Sequence, residues 1–420
     1  MAPSEYQFLI EQLRYKMKQK LVVIGNGMAG MKTVEELLNI EAHRYDITVF
    51  GNEPYGNYNR IMLPPLLQGS KTISDIMIHN FDWYDKNEIT LHCGANKTIV
   101  QIDRHKKQVI AKDGTVALYD RLLIATGSLS TTPDIPGIKL EGVMGFREIA
   151  DVEKLLSAVK TPQKVTIIGG GLLGLEAASA LQNRAMEVTV INRSAFILNR
   201  QLDVHSSNLL KEHLNKQGVA FELSANVVEI IGADHKVKSI RLDNGNVIDT
   251  NFVIIAMGIR PNIELAKEAG IRTNQGVVVN DFMQTSDEAI YAVGECIEHD
   301  GQLFGLVAPA YEQAKVCAKQ LVGQQNVVFE RRISATILKV TGIDLFSVGN
   351  IETDTDCQEQ LFVDNQLDIY RKLIIKNQKL IGAILYGDTE HSHFYMKLIS
   401  DNVLITPFRN QLLFNPPEIA

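Results

Sequence analysis

Cysteine is scarce in this chain. Its 420 residues include only Cys93, Cys296, Cys317 and Cys357. The four are scattered and contain no C-x-x-C pair, which argues against a thiolate-held iron–sulfur cluster or a structural zinc site within the chain. They also suggest no disulfide framework, so a reducing, cytoplasmic setting is the simpler expectation. An excess of basic residues is missing too: 42 Lys and Arg stand against 49 Asp and Glu, a net charge of -7, which disfavours nucleic acid as a partner. No apolar run reaches the roughly 18 residues of a membrane span. The histidines show no metal-ligand spacing, and no segment is of low complexity. The first residues lack the apolar stretch and small-residue site of a secretory signal. Residues 1–17 therefore read as a leader: either a short amphipathic helix with Phe8, Leu9, Leu13 and Met17 on one side, or a dispensable segment ahead of a start at Met17.

Two similar segments organise the remainder. Lys20-LVVIGNGMAGMKTVEELL precedes Asp46-ITVFGNEP, and Lys164-VTIIGGGLLGLEAASAL precedes Glu187-VTVINRS. Each reads as a buried strand, a glycine-rich turn, an amphipathic helix and a second strand, which is a βαβ unit. Alternating strands and turns fill the interval between them, and a second meander with hairpin turns at ADH and DNG follows. From about Phe329 the chain alternates like strands (YRKLIIKNQKLIGAILYG) and then turns helical. The expected fold is α/β, with two Rossmann-like three-layer dinucleotide-binding domains and a small α+β C-terminal domain. The expected boundaries are 18–128 plus 251–325 for the first domain, 129–250 for the second, and 326–420 for the third.

In the first turn, Gly25 permits the tight bend and Gly27 lets the backbone approach a pyrophosphate. Gly30 lets helix and strand pack closely, and the amides of Met28 and Ala29 open the helix. Such an N-terminus favours phosphate. Gly169, Gly171, Leu172, Leu173 and Gly174 repeat the arrangement. Two such sites in one chain suggest a flavin dinucleotide in one and a nicotinamide dinucleotide in the other, with hydride passing between cofactor rings. The acid expected to bind ribose after the first unit is displaced to Glu53. After the second unit it is missing, and the chain reads Ile191-Asn192-Arg193. Without that carboxylate a 2′-phosphate is not repelled, and Arg193 is either its partner or a solvated loop charge.

With these motifs the chain resembles the two-dinucleotide flavoprotein disulfide-reductase superfamily, over roughly Lys18 to Val322. The likeness includes Leu122-LIATGS, with Ala125, Thr126 and Gly127. It also includes Ala256-MGIRPN, with Gly258, and Ile290-YAVGECIEHDGQLFGLVAPAYEQA, with Gly294 and Glu295. The resemblance implies FAD and NAD(P)H as cofactors, with Glu295 against the ribityl chain of the flavin. The region where thiol-dependent members carry cysteine reads Pro54-YGNYNRIMLPPLLQGS and has none. Electrons are thus expected to leave the flavin directly. The Y-N-R-I-x-L stretch is similar to the rubredoxin/ferredoxin reductase and nitrite reductase branch, which implies a place near the flavin for Arg60. Arg147 in GFREIADVE also matches that branch. By resemblance, Glu176 lies at the nicotinamide edge and orients it, and replacing Arg60 or Glu176 should slow flavin reduction.

The likeness is greatest to the flavoprotein portion of assimilatory NAD(P)H nitrite reductase large subunits and to nitrate reductase electron-transfer subunits. The implied acceptor is a separate redox protein: a nitrate or nitrite reductase subunit, a rubredoxin or a ferredoxin. Acidic carriers of that kind would dock on basic residues, for which Arg331-Arg332 and Arg371-Lys372 are the candidates. An NADH oxidase with a small-molecule acceptor and a non-catalytic redox sensor are the competing readings, and both monomer and homodimer stay open. His299 reads as a surface residue.

Overall fold

The computed structural model describes residues 18–158, 163–324, 326–340 and 342–414. The expected leader lies outside them. Two compact units are formed. Among the described residues, one comprises 18–60, 74–129 and 259–331; the other comprises 61–73, 130–258 and 332–414.

The first unit is built on a five-stranded parallel sheet. Its order is Ile290–Ala292, Arg121–Ile124, Gln19–Ile24, Tyr45–Gly51 and Thr90–Cys93. The apolar run LVVI makes the middle strand because both of its faces are covered, and Leu21 to Ile24 are buried throughout. Helix Met28–Glu41 buries Gly30, Met31, Val34 and Leu37, a stripe at helical spacing. Helix Val307–Leu321 packs against it, burying Ala310, Ala314, Cys317 and Leu321. An antiparallel meander of Ile99–Asp103, Gln108–Ala111 and Val116–Leu118 completes the layers.

The second unit repeats the plan with the parallel order Val143–Gly145, Phe252–Ile255, Lys164–Ile168, Glu187–Asn192 and Val219–Leu223. Strand Phe252–Ile255 pairs with Lys164–Ile168 and so belongs to this sheet, whereas the sequence boundary at 250 had assigned it to the other domain. The strands Val227–Ala233, Lys236–Leu242 and Val247–Asp249 form a meander. Asp234, His235 and Gly245 adopt positive φ at its two hairpin turns, where ADH and DNG stand. The C-terminal part of the unit is a five-stranded antiparallel sheet ordered Thr336–Val340, Ile343–Gly349, Lys379–Tyr386, Ile369–Lys376 and Gln358–Asp364. Helix Ser392–Ser400 covers one of its faces, with Tyr395 and Leu398 fully buried against Leu373, Leu380 and Leu385. This is the small α+β element expected from the sequence.

Candidate functional site

The two glycine turns do the same physical work at equivalent positions. Gly25 and Gly169 have φ of +117° and +123°, and a Cβ on either would meet the carbonyl oxygen of Ala125 or Ala256 at 2.1 and 2.3 Å. A Cβ on Gly30 or Gly174 would meet the oxygen of Gly25 or Gly169 at 2.5 and 2.1 Å. Both pairs are therefore required by the fold itself. The middle glycines differ, for a Cβ on Gly27 or Gly171 meets nothing within 4 Å. Gly27 and Gly171 are also the N-caps of helices Met28–Glu41 and Leu172–Gln182, and neither has a side-chain cap. Each turn thus leaves an open face beside uncapped helix amides. That is the cradle a dinucleotide pyrophosphate needs, and the residues present fit the group.

In the first unit, Ala125 N–H donates to Ile24 O at 2.8 Å, and Asn262 N–H donates to Gly127 O at 2.9 Å. Thr126 Oγ1 donates to Asn262 O at 2.7 Å. The segment Ala125–Gly127 is so fixed against the glycine turn. Gly294 adopts φ +89°, and its Cα lies close enough to Ala29 that an added Cβ would meet the Ala29 Cβ at 2.8 Å. Glu295, next in sequence, accepts a 2.6 Å hydrogen bond from Ser128 Oγ. The sequence motifs ATG and GE are thereby gathered beside the first glycine turn. Gln313 holds this arrangement from behind. It is fully buried, and its Oε1 accepts from Gly294 N–H at 2.8 Å. Its Nε2 has no hydrogen-bond partner among the described residues. Sequence reasoning quoted Gln313 within YEQA but did not single it out. A buried glutamine in an otherwise apolar helix stripe was the available signal.

Glu53 is bound by its own neighbours. Tyr58 Oη donates to Glu53 Oε2 at 2.7 Å, and Arg60 reaches Oε1 at 2.5 Å while its guanidinium stands 5.1 Å from the Tyr58 ring centroid. Arg60 is thus the partner of a carboxylate in this unit. A second group that the sequence did not disclose lies beneath it. Tyr84 Oη donates to Asn26 Oδ1 at 2.6 Å and accepts from Asn57 N–H at 3.1 Å. Asn57 Nδ2 donates to Asn26 O at 3.1 Å. This buried network ties the first turn to the segment bearing Glu53. Cys93 ends the neighbouring strand, paired with Gly51, and burial raises its thiol above the usual range. Cys296 and Cys317 are fully buried, and burial raises both thiols. A thiolate nucleophile is disfavoured at all three.

In the second unit, Glu176 lies on the glycine-turn helix, two residues after Gly174. Desolvation pushes its carboxyl up to about 7. Asn192 ends the second strand, and its amide faces inward. Its Oδ1 accepts from Gly170 N–H at 3.2 Å, and its Nδ2 donates to Ser194 O at 3.2 Å and Phe196 O at 2.9 Å. Arg193 is exposed beside it. Gly258 follows Ala256 at φ +101° and accepts from Thr131 N–H at 2.9 Å. Arg147 donates its backbone N–H to Asp151 at 2.8 Å, at the start of helix Ile149–Ala158.

Two surface assignments are corrected. His299 is buried and paired with Asp281 at 2.8 Å, because its strand Ile297–His299 is covered on both sides. Arg371 and Lys372 are each only 8% exposed. Arg371 pairs with Asp388, and Lys372 lies 3.0 Å from Glu359 and 3.3 Å from Asp203. Their charges are neutralised on the two faces of an interior strand and offer no basic docking patch. Arg331 and Arg332 are exposed. Among the described residues no helix is long and apolar enough to cross a membrane, and no metal-ligating cluster occurs.

Known proteins share this architecture. The NAD(P)H nitrite reductase of Bacillus subtilis (strain 168) is 43% identical over 382 residues, covering 91% of this chain and 47% of that protein. The assimilatory nitrate reductase electron transfer subunit of the same organism is 44% identical over 372 residues, covering 89% and 48%. The chain thus spans about half the length of these two relatives. The crystal structure of NADH:rubredoxin oxidoreductase from Clostridium acetobutylicum superposes with a TM-score of 0.78 at 29% identity, covering 92% of this chain and 96% of that one. Residues 335–403 match the rubredoxin NAD+ reductase C-terminal domain. Residues 19–320 match pyridine nucleotide-disulphide oxidoreductase, and the chain belongs to that family.

Proposed function

We propose that this protein is a cytoplasmic FAD-dependent oxidoreductase that takes a hydride from NAD(P)H and passes electrons to a separate redox protein in nitrate or nitrite reduction. The observation that carries the reading is the pair of glycine turns, each with an open middle glycine, in a chain where burial raises the thiols of Cys93, Cys296 and Cys317. FAD, when bound, accepts two electrons as hydride and releases them one at a time. The first turn, Ala125–Gly127 and Glu295 hold the flavin dinucleotide, with Gly294 kept in its turn by Gln313. The second turn, with Leu172 and Leu173 opening its helix, holds the nicotinamide dinucleotide. Desolvation raises the Glu176 carboxyl to about 7, so its protonated fraction near neutral pH can donate a hydrogen bond that orients the nicotinamide carboxamide. Arg60 holds Glu53 in place for the adenosine ribose. The names of the relatives, a nitrate reductase electron transfer subunit and a rubredoxin oxidoreductase, favour a protein acceptor over a small molecule.

The test is anaerobic stopped-flow mixing of the yellow protein with NADH and with NADPH, followed at the flavin absorbance band. Bleaching by either nucleotide, with reoxidation by a nitrate or nitrite reductase subunit faster than by dioxygen, is the expected result. Flavin reduced by neither nucleotide would overturn the reading. Reoxidation by dioxygen at least as fast as by any carrier protein would replace it with an oxidase.

A further inference from the structure

We infer that the nucleotide site of the second unit selects NADPH over NADH, with Arg193 and Arg200 as the residues that recognise the 2′-phosphate. The inference rests on the assignment of the second glycine turn to the nicotinamide dinucleotide. NAD-selective turns place a carboxylate at the end of the second strand, where it accepts from the ribose 2′-hydroxyl and repels a 2′-phosphate. Here that position is Asn192, whose amide is turned inward onto the backbone. One oxygen accepts from Gly170 N–H, and the nitrogen donates to the carbonyls of Ser194 and Phe196. Asn192 therefore has no charge to repel a phosphate, and both N–H of its amide are already donated.

The same bonds fold the loop after Asn192 back onto the turn. Leu198 N–H donates to Gly170 O at 3.0 Å, and Ile197 N–H donates to Ser207 Oγ at 3.0 Å. That loop carries Arg193 and Arg200, both exposed, and neither forms an ion pair among the described residues. Between Glu187 and Asp203 the sequence contains no acid at all. Asp203 itself is spent, for it caps helix Val204–Lys216 through Ser206 and meets Tyr370 Oη at 2.5 Å and Lys372 Nζ at 3.3 Å. The loop beside the turn thus offers two cations and no free anion. A dianionic 2′-phosphate suits that field, and a neutral hydroxyl gains nothing from it.

The experiment uses the flavin-loaded protein and two dead-end probes that differ only in the 2′-phosphate, adenosine 2′,5′-bisphosphate and adenosine 5′-monophosphate, with affinities measured by calorimetry at two salt concentrations. The wild-type protein is expected to bind the bisphosphate at least about tenfold more tightly, with the advantage shrinking at high salt. Arg193→Ala and Arg200→Ala are each expected to reduce that preference about tenfold, and Arg193→Lys to restore part of it. Asn192→Asp would set a carboxylate against two carbonyls, so the side chain is expected to turn outward and invert the preference. Equal binding of the two probes by the wild-type protein would overturn the inference. So would a preference that survives both alanine variants. The parent reading fails differently: neither probe would compete with NADH or NADPH, and the flavin would stay oxidised with both.

Discussion

Gln313 and Glu176 are both polar side chains on helices beside a glycine turn, yet their environments give them different consequences. Gln313 accepts the Gly294 N–H, which would otherwise be buried without a partner. Gln313→Leu should lower unfolding free energy by about 1–3 kcal/mol and reduce the flavin-to-protein ratio of the purified protein, while Gln313→Glu should recover much of the flavin content. Urea titration and the absorbance ratio measure the two effects, and unchanged flavin content in the leucine variant would remove Gln313 from the site. Among the described residues nothing offsets the desolvation of Glu176, and its carboxyl is pushed up to about 7 from 4.5. The folded chain therefore holds this proton more tightly than the unfolded chain. The resulting stability is fully present below about pH 4.5 and is lost as pH rises through about 7, a change of roughly 1–3 kcal/mol. Glu176→Gln should flatten that part of the stability profile, as read by urea midpoints at pH 5 and pH 8.

At the scale of elements, the glycine turns separate what the fold requires from what a ligand requires. Gly25→Ala places a Cβ 2.1 Å from a backbone oxygen at a φ of +117°, so it should destabilise the chain severely. Gly27→Ala places one in open space at a φ of -87°, so the apoprotein should keep its stability within about 0.5 kcal/mol. Flavin binding should nevertheless be lost, because the new methyl group occupies the pyrophosphate approach. Thermal unfolding of the apoprotein together with flavin content distinguishes the two variants. A different element-scale feature joins the helix Val204–Lys216 to the C-terminal sheet through Asp203, Tyr370 and Lys372. Asp203→Ala removes a helix cap and leaves Lys372 with only Glu359, and should cost about 2–4 kcal/mol by urea denaturation. Asp203→Asn keeps the cap oxygen and should cost less. Equal losses would show that the cap contributes nothing.

For the molecule as a whole, flavin binding is expected to add to stability. FAD added to the apoprotein at a hundredfold excess over its Kd should raise unfolding free energy by about 2.7 kcal/mol, measurable as a shift in calorimetric midpoint. Much of the architecture was legible in the chain because its signals are local. The strand–GxGxxG–helix order, the fully apolar LVVI and VTII runs, and the ADH and DNG turns each act over a few residues, and each fixes φ, hydrophobic period or both. The absence of cysteine near the first turn was equally local. What the sequence could not disclose depends on which residues meet at a distance. Arg371-Lys372 read as a basic pair, but an interior antiparallel strand buries both, and neighbouring segments supply Asp388, Glu359 and Asp203 as their counter-charges. His299 read as exposed until the packing around its strand placed it beside Asp281 and Phe329. Strand Phe252–Ile255 was separated from its sheet by a long meander and joined it only through parallel pairing. By itself the sequence determined the fold class, the two dinucleotide turns and the missing thiol, because each is set by neighbours along the chain. The tertiary structure alone decided the inward turn of Asn192, the clamp of Gln313 on Gly294 and the pairing of Arg371, Lys372 and His299, because a buried polar group takes its properties from whatever the fold places within hydrogen-bond reach.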